Sequence, residues 1–148
     1  LKKNVVQRGH ITKNEIKSSY INLKEILSKN QEKNFFLKID IEGNEYRILQ
    51  DIVENQKYLE GLVIEFHNSD LMEEKILEFS EQLNLDLVHV HVNNFGDINN
   101  KGYATTFEAT YSPRKYNFQR EKDEFIFPVK ELDQPNNEKD VDEKVSFE

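Results

Sequence analysis

The chain has no cysteine, and glycine, proline and methionine are scarce: 5, 3 and 1 among 148 residues. Without cysteine there is no disulfide scaffold, no thiolate metal site and no cysteine nucleophile. The glycines stand alone at positions 9, 43, 61, 96 and 102, so no GxG pair exists. No apolar run approaches the ~18 residues of a membrane-spanning helix, and no signal peptide is recognisable. A cytoplasmic chain without a membrane partner is therefore expected. Positive charge is also short, with 20 Lys and Arg against 28 Asp and Glu, a net charge of -8. Phosphate backbones attract basic surfaces, so nucleic acid is not an expected partner. An initiator methionine is absent too. The chain starts Leu1-Lys2-Lys3, and a piece of a longer protein is expected.

What is present suffices for about one domain. Hydrophobic residues make up 36% and charged residues 32%, so a core is possible under a very polar surface. Residues 1–20 are lysine-rich and read as a short strand or loop. Residues 21–30, INLKEILSKN, carry Ile21, Leu23, Ile26 and Leu27 at the spacing of a short amphipathic helix.

The first convincing strand is residues 35–41, FFLKIDI, whose apolar content suits burial on both faces. It stops at Asp40 and Glu42, and Gly43 follows. Asn44 is placed to cap a helix whose Tyr46, Leu49, Ile52 and Val53 share one face. Gly61 breaks that pattern, and LVIEFH at 62–67 is a second apolar strand, closing on Glu65 and His67. Asp70 and Glu73 have capping-box spacing, and Met72, Ile76, Phe79 and Leu83 follow at intervals of 4, 3 and 4, a core-facing helical stripe. LDLVHVHVNN at 85–94 alternates as a strand does. Val88, Val90 and Val92 point one way; Leu87, His89, His91 and Asn93 point the other. A loop with Gly96 and Gly102 leads to TTFEATYS at 105–112, giving an antiparallel hairpin that Pro113 ends. The acidic, Asn- and Pro-rich segment 131–148 is expected to be loosely held.

Strand–helix–strand order requires crossovers, and crossovers produce parallel strands covered by helices. An α/β sheet ending in a hairpin follows. Ligands of open α/β sheets bind beyond the carboxyl ends of the strands. Asp40 with Glu42, Glu65 with His67, and His91 with Asn93 and Asn94 all fall at that edge. Asn both donates and accepts hydrogen bonds, so His91, Asn93 and Asn94 suit hydroxyl-rich ligands such as sugars. The plainer alternative is that Asp40 and Glu42 solvate a strand end, with Glu42 favouring the following helix dipole by about 0.3–1 kcal/mol.

Metal readings are weaker. In DIEGNE the acids alternate as in a calcium loop, but counting from Asp40 glycine is at position 4 rather than 6, and Asp51 stands where the twelfth-position glutamate belongs. His89 and His91 with His67 are an unspecific set. No metal site is expected on these grounds.

LKIDIEGNEYRIL resembles the KIDVEGAE-type segment of FkbM-family methyltransferases, which use S-adenosylmethionine. LVIEFH, VHVHVNNFG, TTFEATYS and ELDQPNN are similar to that family's later elements, in the same order, over residues 20–148. The resemblance implies the C-terminal half of a Rossmann-like class I methyltransferase sheet. Its strands would be numbers 4-5-7-6 of the order 3-2-1-4-5-7-6, parallel with one antiparallel strand. Segment 1–34 would be the remnant of the missing half, 35–130 the α/β domain and 131–148 the tail. The implied activity is O-methyl transfer to a hydroxyl of a glycan or other secondary metabolite. Asp40 is the first candidate base, His67 the second, with Glu42 beside them, and Asp40 would also lie close to the cofactor. Glu65, His91, Asn93 and Asn94 would bind the acceptor. The missing GxG loop implies that the chain alone does not hold the cofactor, and it supports an alternative, a non-catalytic ligand- or partner-binding module. Loss of strands 1 to 3 would leave residues 35–41 as an exposed edge with Lys38 as its single guard, a route to self-association.

Overall fold

The structure, a computed structural model, describes Leu23, Ile26 and residues 35–116 and 126–146. The expectations for residues 1–20 and most of 21–30 lie outside these. Leu23 and Ile26 are helical, and Leu23 packs on the core. The elements are β1 (Phe35–Ile39), α1 (Leu49–Asn55), β2 (Leu59–His67), α2 (Glu73–Gln82), β3 (Leu85–Val92), β4 (Thr106–Pro113), β5 (Ile126–Phe127) and β6 (Val145–Ser146). A mixed four-stranded sheet has the order β1-β2-β4-β3. β1 and β2 are parallel, joined through α1, and β4 is antiparallel to both β2 and β3. β5 and β6 form a separate antiparallel pair.

The alternation of side chains divides the sheet into two chemically different faces. Leu62, Ile64 and Phe66 of β2 are wholly buried and share one face with Ile39, Ala109, Tyr111 and Val90. Leu49 and Ile52 of α1 and Ile76 and Phe79 of α2 close over that face. Phe66 sits at its centre, with ring centroids of Tyr46, Phe79 and Phe107 at 6.0, 6.2 and 5.5 Å. The Tyr111 hydroxyl meets Ser80 Oγ at 2.8 Å, so this buried polar group is satisfied.

The opposite face carries Lys38, Glu65, His67, Glu108, His89 and His91. Here the structure departs from the expectation that β1 is buried on both faces: Phe36 is 66% exposed. Its ring lies over Gly61, where a Cβ would come within 2.7 Å of it. That contact explains why Gly61 lies inside β2 rather than breaking the chain before it. Val88 does not continue the alternation either, because the β3–β4 register shifts between Leu87 and His89.

Both expected helix caps are replaced. Asn44 makes no capping bond; its Nδ2 donates to the Ile41 carbonyl at 3.2 Å. The chain first makes a 3-10 turn over Glu45–Arg47 and only then enters α1. Asp70 lies in another 3-10 turn, Ser69–Leu71, and accepts from Asn99 Nδ2 at 3.1 Å, while Met72 precedes α2 without a side-chain cap. The tail, expected to be loosely held, is tied to the polar face. Asp133 accepts from His89 Nε2 at 2.8 Å, and Asp142 contacts His91 Nε2 at 3.0 Å. Phe127 stacks edge-on against the His89 ring at 4.9 Å. The acids that made this segment look solvated are the groups that dock it.

Candidate functional site

The turn after β1 builds the site. Glu42 and Gly43 both have positive φ, 55° and 90°. Glycine adopts this backbone without strain, whereas at Glu42 a side chain is held in it. The turn is held from below by Glu45, which is wholly buried. Its Oε1 accepts from the Ile41 and Gly43 amides at 3.2 and 3.1 Å and lies 2.9 Å from His67 Nδ1. Its Oε2 has no hydrogen-bond partner. Tyr46 supports the same corner by donating its hydroxyl to the His67 carbonyl at 2.6 Å. Burial pushes the Tyr46 hydroxyl far above its ordinary pKa, with Glu45 and Asp70 adding to the shift, so it remains a donor.

With Nδ1 held by Glu45, the other ring nitrogen of His67 turns outward. Nε2 lies 3.4 Å from Glu42 Oε2 and 3.9 Å from Glu65 Oε2. Asp40, Glu42 and His67 each bring one ligand-type atom within 4.8 Å of the others. These groups open onto a cavity of about 450 Å³ on the polar face. Glu65, Glu108, Thr106, His91, Asn93 and Asn136 also line it. Burial pushes the Glu65 carboxyl up. The hydrogen bond from Asn93 Nδ2, at 2.6 Å, opposes the shift, and neighbouring Asp40 adds to it. Lys38 crosses the sheet to Glu108 at 2.5 Å, and that bond holds its ammonium above the usual lysine pKa.

Six residues singled out from the sequence therefore share one cavity: Asp40, Glu42, Glu65, His67, His91 and Asn93. Asn94 is elsewhere. Its side chain donates to the Asn137 carbonyl at 3.1 Å and accepts from the Asn137 amide at 2.7 Å, so it anchors the tail. His91 lines the cavity but is occupied by Asp142. His89 is occupied by Asp133, so the H-x-H pair is not offered to a metal. Sequence reasoning missed Glu45, although a signal was there: Glu45, Leu49 and Ile52 are one stripe at 4 and 3 spacing. An acid in an apolar stripe is an informative buried group. Lys38 and Glu108 were missed as well; their side chains come together only through the β1-β2-β4 order.

No helix among the described residues is long and apolar enough to cross a membrane. Comparison with protein-family models, with curated proteins and with solved structures gives no match.

Proposed function

We propose that this chain supplies the acceptor-binding and proton-accepting part of an S-adenosylmethionine-dependent O-methyltransferase acting on a hydroxyl of a glycan or another small molecule. The observation that supports this reading most is the meeting of Asp40 and His67 at the adjacent carboxyl ends of the parallel strands β1 and β2, facing one cavity. The sheet order β1-β2-β4-β3, with β4 antiparallel, also agrees with the 4-5-7-6 order that the FkbM resemblance implies.

Methyl transfer to oxygen requires loss of the hydroxyl proton, and a carboxylate or imidazole within hydrogen-bond reach can take it. Asp40 is exposed to the cavity, and Glu45 orients His67 with Nε2 outward. Asn93 Nδ2 and Glu65 Oε1 are bonded to each other, which leaves the second Asn93 amide hydrogen and Glu65 Oε2 for neighbouring hydroxyls. The described residues do not fit the cofactor. There is no GxG, and the cavity's one large apolar side chain is Phe95, 70% exposed. Adenosine binding would need chain outside the described residues, and what these residues contribute is the acceptor side.

The test is radiolabelled methyl transfer to sugar and polyol acceptors by the polypeptide as its gene encodes it. Asp40→Asn is expected to lower turnover about 10²–10⁴-fold, the scale of general-base loss. Absence of both methyl transfer and cofactor binding by that polypeptide would refute the reading. The missing glycine loop favours a second reading, a non-catalytic module that binds polyols in the same cavity. Acceptor binding without any methyl transfer would select it.

A further inference from the structure

We propose that Asp40, Glu42 and His67 form a binding site for one divalent cation of the Mn²⁺ type. Donors bound at ~2.0–2.3 Å to one ion lie about 3–4.5 Å from each other. The three ligand atoms lie within 4.8 Å of one another, and His67 Nε2 is 3.4 Å from Glu42 Oε2.

Acids gathered at a surface do not by themselves make a site, and the independent observation here is Glu45. This carboxylate is wholly buried, is aimed at the cluster through His67 Nδ1, and keeps one oxygen without a partner. A carboxylate on one ring nitrogen fixes the tautomer, so the other nitrogen presents a lone pair. That is the arrangement that orients and strengthens a metal-binding histidine. Nε2 faces Glu42 and Glu65, so a metal cation that takes the place of a proton there is held by the ring and by the carboxylates together. A cation on Nε2 also gives the buried Glu45 charge a counterpart across the ring, which a buried carboxylate requires.

Among the described residues lining the cavity, the other basic side chains are engaged elsewhere. Lys38 is bonded to Glu108, and His91 is bonded to Asp142. Glu42 is 85% exposed at its side chain, so an ion can enter, and the cavity has room for water or a ligand hydroxyl in the remaining coordination positions. One imidazole with carboxylates is harder than the thiolate sets zinc favours and softer than an all-oxygen calcium or magnesium site. The expected affinity order is Mg²⁺ and Ca²⁺ below Mn²⁺, and Mn²⁺ below Zn²⁺. The site stands whether or not the chain takes part in methyl transfer. Within that reading, a bound cation lowers the pKa of a coordinated hydroxyl and does the work otherwise assigned to a side-chain base.

The test uses the full chain after chelator treatment, with Mn²⁺ uptake followed by loss of the free-ion electron paramagnetic resonance signal. One ion per chain is expected. Glu45→Gln should weaken binding about 10–100-fold, the scale for an outer partner of a metal-binding histidine. Asp40→Asn, Glu42→Gln and His67→Gln should weaken it at least as much. Glu60→Gln, which alters the carboxylate paired with Lys115 outside the cavity, should leave it unchanged. Zn²⁺ should move the ¹⁵N resonance of His67 Nε2 far more than that of Nδ1. Should His67→Gln fail to fold, Glu42→Gln decides alone, because that side chain is exposed. No Mn²⁺ uptake up to about 1 mM, the weak end of protein calcium sites, would overturn the proposal. So would uptake that Glu42→Gln leaves intact.

Discussion

Replacing Glu45 by alanine tests the central physical claim, that one buried carboxylate holds the β1 turn and the His67 ring together. Its Oε1 serves three donors, the Ile41 amide, the Gly43 amide and His67 Nδ1. Removing the acceptor strands two backbone donors and frees the ring. Each unsatisfied donor costs about 1–3 kcal/mol, so through the two amides Glu45→Ala should lose roughly 2–6 kcal/mol. For a domain stable by about 5–15 kcal/mol that loss is a large fraction. Glu45→Gln keeps an oxygen for the two amides and no longer buries a charge. It loses the charge-assisted part of each bond, and the net should stay within about 2 kcal/mol of the parent. Urea unfolding gives both values, and amide hydrogen exchange at Gly43 reports the turn directly. An alanine variant within about 1 kcal/mol of the parent would refute the reasoning. Equal damage from alanine and glutamine would mean that charge, not the acceptor, holds the turn.

Two further outcomes follow from the same geometry. Because burial and Asp40 raise the Glu65 carboxyl, the folded chain keeps that proton to higher pH than the unfolded chain does. This group's stabilising contribution is present below the ordinary carboxylate pKa and is lost as pH rises through the raised folded value. Glu65→Gln, unfolded thermally in chelator, should therefore gain stability relative to the parent as pH rises above the ordinary carboxylate pKa; a relative loss with rising pH there would contradict the assignment. Asp133→Asn with Asp142→Asn weakens both histidine contacts of the tail. Limited proteolysis should then cut within residues 128–146 while the four-stranded sheet survives, and an unchanged cleavage pattern would show that Phe127 and the β5–β6 pair alone suffice.

The elements whose evidence is local were legible in the amino-acid order. Apolar runs announced β1 and β2. The stripe of Met72, Ile76, Phe79 and Leu83 announced α2, whose Ile76 and Phe79 are buried. The hairpin of β3 and β4 followed from alternation and a glycine-bearing loop. Period and spacing act between near neighbours, so a one-dimensional pattern carries them. The polar residues at the strand tips were legible for a related reason, since parallel strands joined by a crossover place their carboxyl ends side by side. What depends on distant partners was not legible. His89 meets Asp133 and His91 meets Asp142 across 44 and 51 positions, and no periodicity links such pairs. The tail's acids looked like solvated charge until the sheet supplied imidazoles to receive them. Asn94 looked like its neighbour Asn93, but the turn after β3 sends one to Glu65 and the other to Asn137. Phe36 looked like core, and only the tertiary structure left it exposed over Gly61. Glu45 is the sharpest case. Its place in an apolar stripe was written in the sequence, but its hold on His67 exists only because α1 returns the chain to pair β2 beside β1.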